Sequence, residues 1–277
     1  MDNLGFANRV IAKSTPTPVS VSAMAYQGKN NLMYDRYLFL SYNHPNLIVV
    51  PYSLSFTEKL CQIGVDRARV KCIRWGVPIS KTLQRREERK RAKRSLNLPE
   101  NKPLIVWAGY IQQIQRKDFL FAVNIAEKIQ KQGIDAVFYF AFKQGHFEKD
   151  FVTFHKPDKL FYVKPTTTEE FNILKHATDI FYSPVVNKNC ILAPPLTWIE
   201  FLNLGVPILT TNIPGADEII SNKKTEYLVD SQEELIKKLS LLIKEYENFI
   251  PYCYEKVSSA YNIKNAAEQY LNLWEGK

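Results

Sequence analysis

The chain has 277 residues, 45% of them hydrophobic, and a formal net charge of +9 at pH 7. This length supplies the core of one large or two modest domains, and no apolar run reaches the roughly 18 residues of a membrane-spanning helix. The four cysteines have no C-x-x-C spacing and no paired histidines nearby, which argues against a zinc site and against a disulfide scaffold. We therefore expect a cytoplasmic protein.

The first part of the chain shows the signals of short strands and one helix. Residues 46–53, "NLIVVPYS", form an apolar run that ends at a proline, and "LSFTEKLCQIG" follows with helical spacing and a glycine stop at Gly64. Residues 69–78, "RVKCIRWGVP", are predicted to form another strand. Turn-forming residues in "NLPENKP" then predict a domain boundary near residues 78–100.

A strongly basic stretch lies within that boundary region. Residues 81–94 contain eight lysines and arginines and only two acidic residues, Glu87 and Glu88. One interpretation is a solvated helix or linker with Glu-to-Arg pairs at helical spacing. The other is peripheral attachment to an anionic membrane surface, since each basic residue near such lipid adds about 1 kcal/mol. Nucleic acid is disfavoured because no aromatic residues are interleaved to stack on bases.

Beyond the boundary, short apolar runs alternate with amphipathic helical patterns. This alternation predicts βαβ units and a parallel sheet with helices on both faces, which is an α/β, Rossmann-like fold. Ligands of such sheets bind at the carboxyl ends of the strands. The groups expected at that edge are Gly109 and Tyr110, residues 164–168 and residues 183–196. The predicted strands are 103–110, 135–142, 159–165, 178–184, 206–212 and 225–230.

One carboxylate is out of place in this pattern. Glu200 lies within the apolar helical stretch "PLTWIEFLNLG", and burying an unpaired carboxylate in apolar surroundings costs several kcal/mol. We therefore expect Glu200 either to face solvent or to meet a ligand. The preceding "PPLT" turn is suited to phosphate, because the start of a helix offers free N–H groups at Leu196 and Thr197. The alternative role for Thr197 is that of a simple N-cap.

The order of four segments resembles the retaining nucleotide-sugar glycosyltransferases of the GT-B fold, family 4. The resemblance covers about residues 46–245 and is carried by "IVVPYSLSFTEKLCQIGVDRARVKCIRWGVP", "IVWAGYIQQIQRKDFLFAV", "ATDIFYSP" and "PPLTWIEFLNLGVPILTTNIPGADEII". It implies four parts, of which the first is a truncated form of the family's acceptor-side domain. These parts are residues 1–78 of that first domain, a basic linker or helix at 79–99, a nucleotide-sugar-binding domain at 100–262, and a helix at 263–277 that crosses back to the first domain.

The resemblance also implies roles for individual residues. Glu200 matches the carboxylate that binds the ribose hydroxyls of the donor, and Arg116 and Lys117 match the basic pair at the donor diphosphate. Thr197 then belongs to the phosphate-binding helix start, and Gly109 to the donor-side strand end.

At two further donor-site positions the sequence departs from the family. Leu192 stands eight residues before Glu200, where the family usually has a second Glu that contacts the transferred sugar. Tyr110 stands where an Arg often follows the glycine of the first strand.

The implied activity is transfer of a sugar from a nucleotide-diphospho-sugar to an unknown acceptor with retention of configuration, as in polysaccharide or glycoconjugate biosynthesis. No cofactor or metal is implied, because basic side chains and a helix start can carry the diphosphate charge. The departures and the short first domain keep an alternative open, a noncatalytic remnant that binds a nucleotide-sugar or a partner. A partner chain that supplies the missing part of the first domain is a further expectation. No residue is assigned as catalytic.

Overall fold

The described strands of the computed structural model form two parallel sheets. The structure describes residues 19–23, 32–79, 86–109, 116–143, 153–186, 194–220, 227–229 and 231–276. The strands are β1 (Val19–Ala23), β2 (Leu47–Pro51), β3 (Leu104–Gly109), β4 (Val137–Lys143), β5 (Phe161–Thr166), β6 (Ile180–Ser183), β7 (Ile208–Thr211) and β8 (Tyr227–Val229). The α-helices are α1 (Leu32–Tyr42), α2 (Leu54–Gln62), α3 (Arg86–Ser95), α4 (Arg116–Lys131), α5 (Thr168–Ala177), α6 (Leu196–Asn203), α7 (Gln232–Glu245), α8 (Ile250–Ala260) and α9 (Ile263–Trp274).

The larger sheet has six strands in the order β5-β4-β3-β6-β7-β8, and the smaller one pairs β1 with β2. Each described ladder is parallel. Strands such as β3, "LIVWAG", are nearly continuous apolar runs because helices cover both faces of a parallel sheet. The predicted α/β fold with a parallel sheet is confirmed.

Each face of the six-stranded sheet carries its own apolar core. On one face α6 packs through Trp198 and Phe201, and the Phe201 ring stacks on Phe181 of β6 at 4.1 Å. On the other face α4 and α7 cover Trp107 of β3, with Phe119 in edge contact at 5.6 Å. A third, smaller core lies under β2 and α2. The packing of α6 orients its helix face, and therefore the direction in which Glu200 points.

Two helix starts carry side-chain caps. Thr167 caps α5 by accepting from the Glu170 N–H at 3.1 Å, and Glu170 Oε2 accepts from the Thr167 N–H at 2.8 Å. Ser231 caps α7 by accepting from the Glu234 N–H at 3.0 Å. These caps satisfy amide donors that would otherwise lack partners in the first turn.

The predicted strand at residues 69–78 is wrong. Val70 and Val77 make isolated bridges, to Val49 and Asn262, and no strand joins them. The segment crosses from the edge of β2 to the start of α9 instead of continuing along one sheet. It approaches α9 so closely that a Cβ on Gly76 would lie 2.3 Å from Cα of Ile263. A residue with a side chain could not make this crossing without moving the backbone.

Side-chain contacts join the part of the chain around β1 and β2 to the rest of the molecule. The Glu218 carboxylate, in the 3-10 turn after β7, accepts from the N–H groups of Leu54 at 2.9 Å and Ser55 at 3.0 Å, at the start of α2. Its side chain is only 7% exposed. At the end of α9 the indole Nε1 of Trp274 donates to Ser20 Oγ of β1 at 2.9 Å.

The basic stretch is only partly a solvated helix. Residues 81–85 lie outside the described part, and α3 begins at Arg86. Arg89 and Lys93 of this helix are each 3% exposed and both contact Asp179, which contradicts a solvated interpretation for these two side chains. Their spacing of four residues puts them on one helix face, where the buried carboxylate holds them. No described helix is both long and apolar enough to cross a membrane.

Candidate functional site

A cavity of about 260 Å³ opens at the carboxyl edge of the six-stranded sheet. The ends of β3, β4 and β5 form its floor, and the first turns of α5 and α6 form its walls. Four threonines and two phenylalanines are among the residues that line it. The lining residues are Ala108, Gly109, Ala141, Phe142, Thr166, Thr167, Thr168, Phe171 and Thr197. The cavity thus combines hydroxyl groups with two helix starts, at the edge where the sequence places a ligand.

Gly109 is required by its neighbour on β3. A Cβ at this position would lie 2.7 Å from the ring of Trp107, which is 4% exposed and fixed between Phe119 and Phe140. Without a side chain at Gly109, the backbone of β3 itself forms part of the cavity wall. Tyr110, which follows it, lies outside the described residues.

Thr197 lies in the first turn of α6 and lines the cavity. The N-cap of this helix is Pro195, which makes no side-chain cap, and its carbonyl accepts from the Trp198 N–H at 2.9 Å. The alternative that Thr197 is merely the N-cap is therefore wrong. The helix start that the "PPLT" turn predicts is thus at the cavity. The amino end of a helix is the positive end of its dipole, so this wall of the cavity favours an anion.

Glu200 follows Thr197 by three residues, so both side chains lie along one face of α6. Its Oε2 is 3.3 Å from Nζ of Lys175 on α5, and the side chains of Glu200 and Lys175 are 36% and 16% exposed. The carboxylate is thus half-exposed and paired with a cation. The sequence does not indicate this partner, because Lys175 lies 25 residues away on another helix.

Arg116 and Lys117 are the first two residues of α4, and both are exposed. Neither side chain lines the cavity at the ends of β3 to β5. The next residue, Asp118, accepts from the N–H of Val186 at 2.7 Å, and so fixes the chain after β6 to the start of α4. This contact is a positioning role that the sequence analysis did not assign. The predicted site residue Leu192 lies outside the described part.

The threonines after β6 and β7 hold the remainder of this edge in place. Thr211 Oγ1 accepts from the Val185 N–H at 2.9 Å and lies 2.7 Å from the Val185 carbonyl oxygen. Thr210 Oγ1 donates to the Ser183 carbonyl oxygen at 2.7 Å. Within the described residues, no three His, Cys, Asp or Glu side chains are grouped so that they could hold a metal ion.

The described histidines have structural partners. His155 Nδ1 accepts from the Val163 N–H at 3.0 Å, which requires the neutral ring. Burial, with a contribution from the Lys164 charge, lowers the pKa of His155. Burial also lowers the pKa of His176, and Lys175 adds to the effect. Neutral rings at these positions serve packing and hydrogen bonding.

Three solved structures share this fold. A glycosyltransferase from Rickettsia africae superimposes with a TM-score of 0.70 at 16% identity, over 99% of this chain and 80% of that one. Sucrose-phosphate synthase from Thermosynechococcus elongatus gives a TM-score of 0.75 at 14% identity, over 98% and 71% of the two chains. HepE from Anabaena gives a TM-score of 0.78 at 12% identity, over 99% and 77%. These likenesses show the fold of the GT-B glycosyltransferases.

The family follows from the sequence match. The model of the glycosyl transferases group 1 matches residues 102–245, which is more than half of the chain. The chain therefore belongs to the group 1 glycosyl transferases. A probable sucrose-phosphate synthase from Thermosipho melanesiensis is 36% identical over 81 residues, which are 29% of this chain and 19% of that relative. The match thus spans a small part of the relative's length.

Proposed function

We propose that this protein transfers a sugar from a nucleotide-diphospho-sugar to an acceptor, with retention of configuration at the transferred carbon. The family supports a transferase, and the structural neighbour HepE was solved with UDP and with UDP-glucose. The observation that carries the proposal is the cavity at the carboxyl edge, which joins Gly109 of β3 to Thr197 of α6.

Each part of the donor meets a suitable group in this proposal. The cavity of about 260 Å³, with its threonine hydroxyls and the Phe171 ring, suits a nucleobase. Glu200, one turn beyond Thr197, accepts hydrogen bonds from the two ribose hydroxyls. The start of α6 and the basic pair Arg116 and Lys117 face the diphosphate, whose negative charge rises as the glycosidic bond breaks.

Glu200 can bind the ribose because its present partner is weakly held. The contact to Lys175 involves one carboxylate oxygen, Oε2, at 3.3 Å. A partly exposed ion pair of this kind contributes about 0–1 kcal/mol. Hydrogen bonds from hydroxyls to a carboxylate contribute about 1.5–3 kcal/mol each when water is excluded. The ribose therefore competes well for this carboxylate, and Lys175 remains near enough to neutralise it before the donor arrives.

The first test is calorimetric titration of the full chain with UDP, GDP and ADP, for the wild type and for Glu200→Gln. We expect one nucleotide to bind and its affinity to fall about tenfold to a hundredfold in the variant, which corresponds to the loss of roughly 1.5–3 kcal/mol. Glu233→Gln is the matched control, since Glu233 is exposed at the start of α7 on the other face of the sheet. Unchanged affinity in a folded Glu200→Gln variant would remove Glu200 from the site.

Turnover is tested separately with the sugar conjugates of the nucleotide that binds. Release of the nucleoside diphosphate, with water as the acceptor, measures cleavage of the donor without knowledge of the natural acceptor. The anomeric configuration of the first product, followed by proton NMR, tests retention. Nucleotide binding without donor cleavage would instead favour the noncatalytic module.

A further inference from the structure

A second cavity, of about 240 Å³, lies at the opposite, amino edge of the six-stranded sheet. Its walls are α3, the turn before β3, the residue before β6 and the turn between α7 and α8. A single water needs only about 10–15 Å³ of cavity volume, so a hydrated oxyanion has room here. The six residues of β3 separate the two cavities by about 17 Å. The second cavity therefore cannot belong to the donor site.

Positive charge is buried beneath this cavity. Asp179, 2% exposed, accepts from the Leu104 N–H at 2.8 Å and from Lys93 Nζ at 2.6 Å, and its Oδ1 is 3.4 Å from Nη1 of Arg89. Arg89 and Lys93 are each 3% exposed. Two buried cations thus share one buried carboxylate. These three side chains together carry one positive charge in excess, and a buried charge without a counter-charge is unfavourable.

The Arg89 guanidinium is only loosely satisfied. Its Nη2 lies 3.4 Å from the Leu204 carbonyl oxygen and 3.3 Å from that of Gly205, and both distances exceed the usual 2.9–3.0 Å or so. Its buried Nε has no hydrogen-bond partner among the described residues. A buried donor without a partner is unfavourable, and more so when it is charged. An oxyanion that reached Nε from the cavity would give this one N–H group the acceptor that it lacks, beside the long contacts of Nη2.

The rim of the cavity adds further cations. Arg86, Lys90 and Lys102 line it together with Arg89 and Lys93, against three lining carboxylates. Lys90 also pairs with Glu87 at 3.2 Å and Lys102 with Asp135 at 2.5 Å, two carboxylates that do not line the cavity. The rim pair between Arg86 and Glu247 is long, 3.6 Å, and its side chains are 74% and 52% exposed. Such an exposed pair is weak, so Arg86 can turn to an incoming anion at little cost.

Tyr246 supplies a neutral donor at the same place. It lines the cavity, and burial, followed by the nearby Asp179 carboxylate, raises its pKa well above the ordinary value for a phenol. The hydroxyl group therefore keeps its proton throughout the physiological range. A group that stays protonated can donate a hydrogen bond to an anion without adding charge.

From this arrangement we propose that the amino-edge cavity binds a phosphate group, either as free phosphate or as the headgroup of an anionic phospholipid. The planar guanidinium of Arg89 presents parallel N–H donors that match phosphate oxygens, and the rim lysines act as point charges. The bound phosphate would neutralise the excess buried charge. This site is separate from the donor site and would exist even if the proposed sugar transfer were wrong.

The first experiment titrates the full chain with sodium phosphate at constant ionic strength, because screening alters weak anion binding. The test variant is the double substitution Arg86→Gln with Lys90→Gln, which removes two rim charges and leaves the buried network intact. The charge-matched control is Arg91→Gln with Lys128→Gln, two exposed residues that do not line the cavity. We expect the test variant to bind phosphate roughly tenfold more weakly than the wild type, and the control to bind as the wild type does.

A second arm distinguishes the two sources of phosphate. The chain is floated with vesicles of phosphatidylglycerol and with vesicles of phosphatidylcholine, in the presence and absence of free phosphate. Binding to the anionic vesicles that free phosphate displaces, and that the rim variant loses, supports a lipid headgroup. Phosphate binding without vesicle binding supports a soluble phosphate.

Three results would overturn the proposal. The first is phosphate affinity that is equal in the rim variant and the wild type. The second is affinity that falls in Arg116→Gln but not in the rim variant, which would place the phosphate at the donor site. The third is the absence of phosphate binding together with vesicle binding that the control variant loses as fully as the rim variant does. Such a result would show unspecific attraction of a basic protein to an anionic membrane.

Discussion

The two edges of the six-stranded sheet hold their polar groups in different ways. At the amino edge Asp179, Arg89 and Lys93 are almost wholly buried and contact one another. At the carboxyl edge Glu200 is half-exposed, its ion pair with Lys175 is partly exposed, and threonines line an open cavity. The first arrangement holds helix α3 against the sheet, whereas the second leaves acceptors and donors accessible. The same strands thus end in a buried ion-pair network beneath the proposed phosphate cavity at one edge, and in a partly exposed site around the proposed donor cavity at the other.

The largest expected effect lies at the amino edge. Asp179→Asn removes the only carboxylate that contacts the buried Arg89 and Lys93 among the described residues, and we expect it to lower the free energy of unfolding by about 3–5 kcal/mol. Urea denaturation followed by circular dichroism measures this change. The control is Glu100→Gln, which breaks the exposed pair with Arg94 and should cost less than about 1 kcal/mol. If Asp179→Asn and Glu100→Gln lowered the free energy of unfolding equally, the burial of the Asp179 ion pairs would not increase their contribution to stability.

Glu218 tests whether every carboxylate at the carboxyl edge is accessible, as Glu200 is, or whether some have a structural role. It follows β7 at the carboxyl edge, yet it is buried and accepts from the amides that begin α2. We expect Glu218→Gln to lower stability by about 1.5–3 kcal/mol and to speed hydrogen exchange at Leu54 and Ser55. Asp217→Asn, an exposed neighbour, is the control. Unchanged exchange at both amides in a Glu218→Gln sample would show that this contact does not hold α2 in solution.

The ion pair at the donor cavity should have a small effect. Lys175→Met removes the partner of Glu200, and because the pair is partly exposed we expect the free energy of unfolding to fall by less than about 1 kcal/mol. Thermal unfolding of the variant beside Asp179→Asn measures the contrast between the edges. A loss as large as that of Asp179→Asn would mean that the carboxyl edge is a stabilising network as well.

The basic pair predicts opposite signs for stability and binding. Lys117 lies in the first turn of α4, where a cation opposes the helix dipole, so Lys117→Gln should leave stability unchanged or raise it by about 0.3–1 kcal/mol. Nucleotide affinity should fall in the same variant. Lys128→Gln, in the last turn of the same helix, should lower stability slightly and leave affinity unchanged. A loss of stability in Lys117→Gln would indicate that Lys117 has a structural role.

The smallest effect concerns pH. Since burial lowers the pKa of His155 below its ordinary value of 6.5, the unfolded state binds its proton more readily than the folded state. The contribution of His155 to the free energy of unfolding is therefore fully present above about pH 6.5, and it decreases as the pH falls toward the pKa of the folded state. Urea denaturation at pH 7.5 and 5.5 measures this decline, and His155→Gln should reduce it. If stability falls between pH 7.5 and 5.5 by the same amount in His155→Gln as in the wild type, other titrating groups cause the loss.

The sequence predicted what local pattern determines and missed what distant pairing determines. The apolar runs of β3 to β7 and the parallel sheet follow from residues close together in the chain. The partners of Asp179 lie 86 and 90 residues away, and nothing near "ATDIFYSP" indicates them. For this reason a basic helix that binds the sheet was interpreted as a solvated surface.

The candidate site shows the same limit. The position of Thr197 at a helix start by the cavity follows from the "PPLT" turn, and the placement of the cavity follows from the rule for parallel strands. The question raised by Glu200 had two expected answers, solvent or ligand. The structure adds a third, a cation on the neighbouring helix, because the packing of α5 beside α6 brings Lys175 within reach. The roles of Arg116, Lys117 and Glu200 in donor binding stay predictions until the titrations are made.

The contact between Trp274 and Ser20 has an optical consequence. Trp274 is 65% exposed, whereas Trp107 and Trp198 are at most 4% exposed, and Trp75 is stacked on Tyr52 at 4.2 Å. The chain has no tryptophan other than these four. A collisional quencher such as acrylamide would therefore act first on the indole that joins the last helix to β1. Its emission serves as an intrinsic fluorescent probe of whether that junction opens when a nucleotide binds.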